Sequence, residues 1–268
     1  MKVFLGFFVC CLYIFGQAAL SGESVSHYQL ANHHLDYIAC PKNKVRLLVF
    51  IHGSPGASSD YESYLLDTDL QKEFCLVSVD RPGFGKSTAS DWKPNLVQQT
   101  NAIRNLLLQF IKDNNLSPKA IYLVGHSYGG PLAFLLRGFH NEARYVILLS
   151  SPMDPNLEEL HWYNHLAAYS VIQFVLPKTW IRSNEEMFTL KSDLISIRKD
   201  SKPLPEDILL VHGEKDGLVP FQNTEYLEKL YPNLPKLLIP ISGAGHLIPW
   251  QEYAAVKESI LTFVKRHR

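Results

Sequence analysis

The 268-residue chain is long enough to bury one large core, and it is read as a single domain preceded by a leader. Its 26 acidic residues balance its 26 basic ones. With 19% charged and 46% hydrophobic residues the composition is that of an ordinary soluble globular protein, which argues against a polyanionic partner and so against nucleic acid.

Met1-Lys2 gives a short positive start, and Val3 to Phe15 is almost uninterrupted apolar sequence, as in a secretory signal peptide. As a helix this run would be roughly 20 Å long, short of the roughly 30 Å hydrocarbon core of a bilayer. Gly16 with Ala18, or Ala19 with Ser21, offer cleavage points, while extension of the run to Leu20 keeps an uncleaved anchor open. Residues 1–21 are therefore set apart from the domain at 22–268. An extracytoplasmic location, secreted or periplasmic, is expected. Removal of the leader takes Cys10 and Cys11 with it and leaves Cys40 and Cys75, an even pair that could form one disulfide or stay as two buried thiols.

From His27 to Cys40 a weak alternation around a polar centre predicts two strands joined by a hairpin, and Lys44 to Ile51 is a strong apolar run. Short apolar runs bounded by turn residues recur at Phe74 to Val79, Ala120 to Val124, Tyr145 to Leu149, Ile208 to Val211 and Lys236 to Ile241. Between them, apolar residues three and four apart predict helices over Leu96 to Asn114, Gly130 to Phe139, Asn223 to Leu230 and Tyr253 to Lys265. This alternation predicts a mostly parallel sheet covered by helices on both faces. The rhythm breaks at Asp154 to Lys202, where a helical, aromatic-rich stretch replaces the next strand and is read as a cap inserted above the sheet.

In such a sheet functional groups collect where strands end. Gly125-His126-Ser127-Tyr128-Gly129 follows the Ala120 run, and a serine between glycines at that place fits a sharp turn that lifts its hydroxyl clear of the sheet. A serine hydroxyl needs a base to take its proton and a third group to orient that base. Asp216 and His246 follow later strands in the required order.

At this point the chain resembles the α/β-hydrolase superfamily, from about Tyr28 to the C-terminus. His52-Gly53-Ser54-Pro55-Gly56 is similar to that family's oxyanion loop, Asp80 to Ser87 to its Asp-x-Pro-Gly-x-Gly-x-Ser loop, and Gly125 to Gly130 to its nucleophile elbow. The resemblance implies an α/β-hydrolase fold, with a mostly parallel eight-stranded sheet, flanking helices and a helical cap at about 154–202. It implies a catalytic triad of Ser127, Asp216 and His246, and backbone oxyanion donors at Ser54 and Tyr128. Serine in place of an elbow aspartate points to acyl transfer through an acyl-enzyme. The expected activity is hydrolysis of carboxylic esters, with peptidase, lactonase, thioesterase or carbon–carbon hydrolase chemistry, or ligand binding without catalysis, as alternatives. The family's usual sheet order would also bring Cys40 and Cys75 together at the lower rim.

Several residues carry rival readings. Asp154 follows the preceding strand and is an alternative acid, though the Gly-x-x-Asp-x-x-Val-Pro pattern favours Asp216. His52, Asp80 and Arg81 read as structural anchors of their loops, and His126 as pointing away from the active face. His161 and His165 are four apart and could share a helix face as metal ligands, as could His33 and His34 near Cys40, but no third ligand accompanies them and no metal or other cofactor is expected. Trp162, Tyr163, Tyr169, Phe174, Trp180 and Phe188 should mostly pack the cap against the domain, some of them roofing an apolar cleft. The expected partner is a small hydrophobic acyl substrate, with membrane contact only through an uncleaved N-terminal anchor.

Overall fold

A computed structural model describes residues 24–38, 40–41, 44–87, 92–198 and 203–267; the leader at 1–21 lies outside the described residues. The chain forms an eight-stranded sheet, β1 (Ser26–Leu30), β2 (His33–Tyr37), β3 (Arg46–Ile51), β4 (Cys75–Val79), β5 (Ala120–His126), β6 (Ala143–Leu149), β7 (Asp207–Gly213) and β8 (Lys236–Ile241). The spatial order is β1-β2-β4-β3-β5-β6-β7-β8. The first two strands form the antiparallel hairpin, β2 runs antiparallel to β4, and all later pairings are parallel.

The apolar runs are long because the central strands are buried on both faces. In β3, Leu47, Val49 and Ile51 enter one core with Ile103, Leu107 and Phe110 of helix α3 (Leu96–Asp113) and Leu132 of α4 (Gly129–Leu136). Leu48 and Phe50 point to the opposite core, where Tyr61, Tyr64 and the C-terminal helix residues Val256, Ile260 and Phe263 meet them. That split follows from the two-residue period of a strand.

The structure adds short elements that carry no periodic signal. Between β3 and β4 lie a 3-10 turn (Ser58–Tyr61) and helices α1 (Glu62–Leu65) and α2 (Thr68–Glu73). The cap consists of α5 (Trp162–Ala167), α6 (Ser170–Gln173) and α7 (Lys178–Ile197), inserted between β6 and β7. Helix α8 (Asn223–Leu230) joins β7 to β8, and α9 (Ile248–Gln251) with α10 (Tyr253–Lys265) ends the chain.

Cys40 and Cys75 form a disulfide, with their Cα atoms 5.0 Å apart. The antiparallel register Asp36↔Ser78 and Tyr37↔Val77, continued past the end of β2, carries Cys40 to the start of β4. The bridge closes a loop across a sequence separation of 35, for which chain entropy alone gives about 3 to 4 kcal/mol. Replacing both cysteines by serine is expected to lower the unfolding free energy in urea by about that amount and to leave turnover unchanged. Two free thiols found by intact mass in protein from an oxidising compartment would contradict this.

Candidate active site

Ser127 is the first of the two residues between β5 and α4 and adopts φ 51°, a left-handed conformation that a side chain holds only under constraint. The constraint is close packing. A Cβ on Gly125 would lie 2.2 Å from the carbonyl oxygen of Gly129, and one on Gly129 would lie 2.2 Å from that of Ile51, so only glycine fits on either side of the turn. The amide of Ser127 donates to the Leu149 carbonyl at 3.0 Å, which ties the turn to β6.

Asp216 and His246 come together although they lie on loops after different strands. The two loops are knitted by backbone, since Lys215 N–H donates to the Ala244 carbonyl at 2.8 Å and Glu214 N–H to that of Ile241 at 3.1 Å. Nδ1 of His246 lies 2.8 Å from Oδ2 of Asp216. The other carboxylate oxygen of Asp216 accepts the amides of Leu218 and Val219, each at 2.9 Å. Burial would raise the Asp216 carboxyl, but hydrogen bonds from His212 and His246 and the charge of His246 outweigh it and hold the group well below the usual carboxylate range. An ionised Asp216 accepts the Nδ1 proton of His246, which leaves Nε2 of that ring as the free base.

The sequence reading missed His212. Its Nε2–H donates to the Val219 carbonyl at 2.9 Å and lies 3.4 Å from Asp216 Oδ2, so it braces the acid loop from β7. His126, read from the sequence as pointing away from the active face, is buried and has a structural partner in the site itself. Its Nε2 donates to the His246 carbonyl at 3.0 Å, and the two rings lie 4.8 Å apart with Trp250 edge-on behind. Burial and the neighbouring His246 push the His126 imidazole down to about 3, so it stays neutral under its neighbour. This contact also places His246 directly beside the Ser127 turn.

The loop at His52–Gly56 approaches Ser127 closely, for a Cβ on Gly53 would stand 3.1 Å from the Ser127 Cβ. Tyr128 is the N-cap of α4, so its N–H belongs to the group that a helix cannot satisfy with its own carbonyls, and Ser54 is followed by Pro55, which has no N–H. His52 anchors this loop by accepting the Arg81 amide at Nε2, 3.0 Å, and donating from Nδ1 to the Gly53 carbonyl, 2.8 Å. Burial, with Arg81 nearby, keeps its imidazole neutral. Asp80 fixes its turn by accepting from the amides of Ser58 and Lys86 and from Nδ1 of His34.

Arg81 does more than anchor a turn. Its guanidinium is fully buried between the rings of Phe84 and Tyr128 and forms a bidentate pair with Glu186 of the cap helix α7, at 2.6 and 3.2 Å. It also donates to Gln99 and to the Gly53 carbonyl. Glu186 accepts further hydrogen bonds from Gln99 and from the Ser54 hydroxyl. A cap carboxylate is thereby linked to the loop that faces Ser127.

The remaining candidates lie apart. One Asp154 carboxylate oxygen accepts the amide and side chain of Asn156, each at 2.9 Å, and closes its own loop rather than contacting His246. His161 precedes α5 and stacks on Tyr163, while His165 packs edge-on against Phe188, so each histidine of that pair has an aromatic partner. Cys40 is in the disulfide and cannot serve His33 or His34 as a metal ligand. His27, His34 and Asp36 do gather, but Asp36 already accepts from Ser58 and His27, and Lys86 Nζ stands 3.6 Å from it as the local cation.

The expectation that the cap aromatics mostly pack inward fails for Trp162, Tyr169, Phe174 and Phe188, which are exposed; Tyr163 and Trp180 are half-buried. The physical reason is visible in α5, whose inward position is taken by Asn164, paired with Asn184 of α7 through two hydrogen bonds.

A mostly parallel sheet in this order, with helices on both faces and a cap between β6 and β7, is the α/β-hydrolase fold. Residues 48–258 match the alpha/beta hydrolase family, and the chain belongs to it. Among curated relatives, YfhR of Escherichia coli, an uncharacterized protein, is 26% identical over 209 residues, covering 76% of this chain and 64% of its own length. The chain thus spans less than two thirds of that relative. A proline iminopeptidase of Lactobacillus helveticus is 28% identical over 108 residues, 40% of this chain and 36% of its own. Among solved structures, the 2-hydroxy-6-oxo-6-phenylhexa-2,4-dienoate hydrolase of Rhodococcus superposes with a TM-score of 0.66 at 18% identity, over 91% of this chain and 99% of that one.

Proposed function

We propose that the protein is a serine hydrolase that cleaves carboxylic esters with small hydrophobic acyl groups, acting outside the cytoplasm. The observation that carries this reading is the Asp216–His246 hydrogen bond set beside a serine held at positive φ. In the proposed cycle Nε2 of His246 takes the Ser127 proton as Oγ attacks the acyl carbon. The N–H groups of Ser54 and Tyr128 bind the developing oxyanion, each worth roughly 10²- to 10³-fold. His246 then returns the proton to the leaving alcohol and activates the water that frees the acyl-enzyme. Asp216 keeps the imidazole in the tautomer this requires. The extracytoplasmic location is supported by the apolar leader and by the Cys40–Cys75 bridge.

Two measurements test the reading. Fluorophosphonate should label the wild type and not Ser127→Ala; no labelling of either would favour a ligand-binding protein that retains the fold. A panel of p-nitrophenyl esters should show a preference for butyrate-like chains over strongly anionic ones. Prolyl p-nitroanilide belongs in the same panel, because the similarity to a proline iminopeptidase supports a peptidase as the second reading. Faster turnover of the anilide than of every ester would replace the first reading with the second.

A further inference from the structure

We propose that the cap is a lipid-docking surface, through which the protein rests on a phospholipid bilayer with α5 and α6 facing the acyl chains. The starting observation is an inside-out pair of helices. Helix α5 buries Asn164 and exposes Trp162 and Leu166, and α6 buries no residue at all. Phe174 is 92% exposed, Val171 78%, Val175 74%, Trp162 67% and Tyr169 66%. A helix that faced only water would show the opposite arrangement, and apolar groups gathered in one stretch of surface mark an interaction site.

The exposure is built in. The buried Asn164–Asn184 pair and the contact of His165 with Phe188 fix α5 on α7, so the apolar side chains cannot turn inward without breaking two hydrogen bonds.

The chemistry of the stretch selects lipid over protein. Residues 160–177 contain no Asp, Glu, Lys or Arg, so burial in hydrocarbon strands no charge. A protein partner would call for hydrogen bonds across the contact, and the exposed positions of the stretch are mostly apolar, with His161, His165 and Ser170 as the polar exceptions. Trp162 and Tyr169 combine an apolar ring with a polar tip, the pairing favoured where hydrocarbon meets headgroups. The exposed Glu159 and Lys178 bound the stretch on its two sides, which leaves its charges at the edges, where Lys178 meets anionic headgroups. The same unit leads to the candidate site, since α7 also carries Glu186, bonded to Ser54. This inference concerns binding, so it stands or falls apart from the ester-hydrolase reading.

The test is flotation of the full-length chain with vesicles of phosphatidylcholine containing a minor share of phosphatidylserine. The wild type should float, and Val171→Glu/Phe174→Glu should partition at least about tenfold more weakly, with hydrolysis of a soluble short ester unchanged. Trp162 emission should shift to the blue on vesicle addition, and that component should vanish in Trp162→Phe. Equal flotation of wild type and variant would assign binding to the N-terminal leader and overturn the proposal. So would failure of the wild type to float, or a wild-type dimer in sedimentation that the double variant converts to monomer, which would assign the face to a second copy of the chain.

Discussion

Asp216→Asn is expected to lower turnover by about 10⁴-fold with little change in KM, because asparagine no longer holds the imidazole of His246 with a free Nε2. The substitution preserves size, and the amides of Leu218 and Val219 still find a carbonyl oxygen, so the loop should fold as before. Asp154→Asn should change turnover less than about tenfold, since that carboxylate closes its own loop on Asn156. Stopped-flow or steady-state assays with a p-nitrophenyl ester decide between the two acids. A large loss from Asp154→Asn with Asp216→Asn near wild type would move the acid to the end of β6.

Glu186→Ala is expected to destabilise the fold by about 3 to 5 kcal/mol in urea unfolding, as it leaves the Arg81 guanidinium buried without its counter-charge. The cause is the stranded charge rather than the net worth of the pair. The double variant Arg81→Met/Glu186→Leu should therefore recover most of the loss. Glu186→Ala also removes the acceptor of the Ser54 hydroxyl, while Arg81 keeps its bond to the Gly53 carbonyl. A cost below about 1 kcal/mol for the single substitution would show that water or a local shift satisfies Arg81.

The parts legible in the sequence are those whose physics is local. Strands such as Leu47 to Ile51 announce themselves because both faces are buried, and the Ser127 elbow because a tight turn demands Gly125 and Gly129. The order of Ser127, Asp216 and His246 could be read because each follows a strand, and strand ends share an edge. Glu186 could not be read, for a carboxylate on a helical segment looks solvated until its partner, 105 residues earlier, is known. His212 was hidden inside an apolar strand, and the role of His126 depends on a loop that arrives 120 residues later. The cap aromatics show a different gap: Trp162 and Phe174 declare how apolar the segment is, not which way it faces.

The pinning of α7 has a consequence for traffic. The helix is held by Glu186 on Arg81, by Arg182 on the Gly83 carbonyl, by Thr189 on the Pro94 carbonyl and by Asp193 on the Leu96 amide. Detaching it would part the buried Arg81–Glu186 pair and break three further hydrogen bonds at once, so the detached state is rare. The helix that carries Glu186 is therefore a fixed wall, and whatever reaches the Ser54 loop must do so with α7 in place.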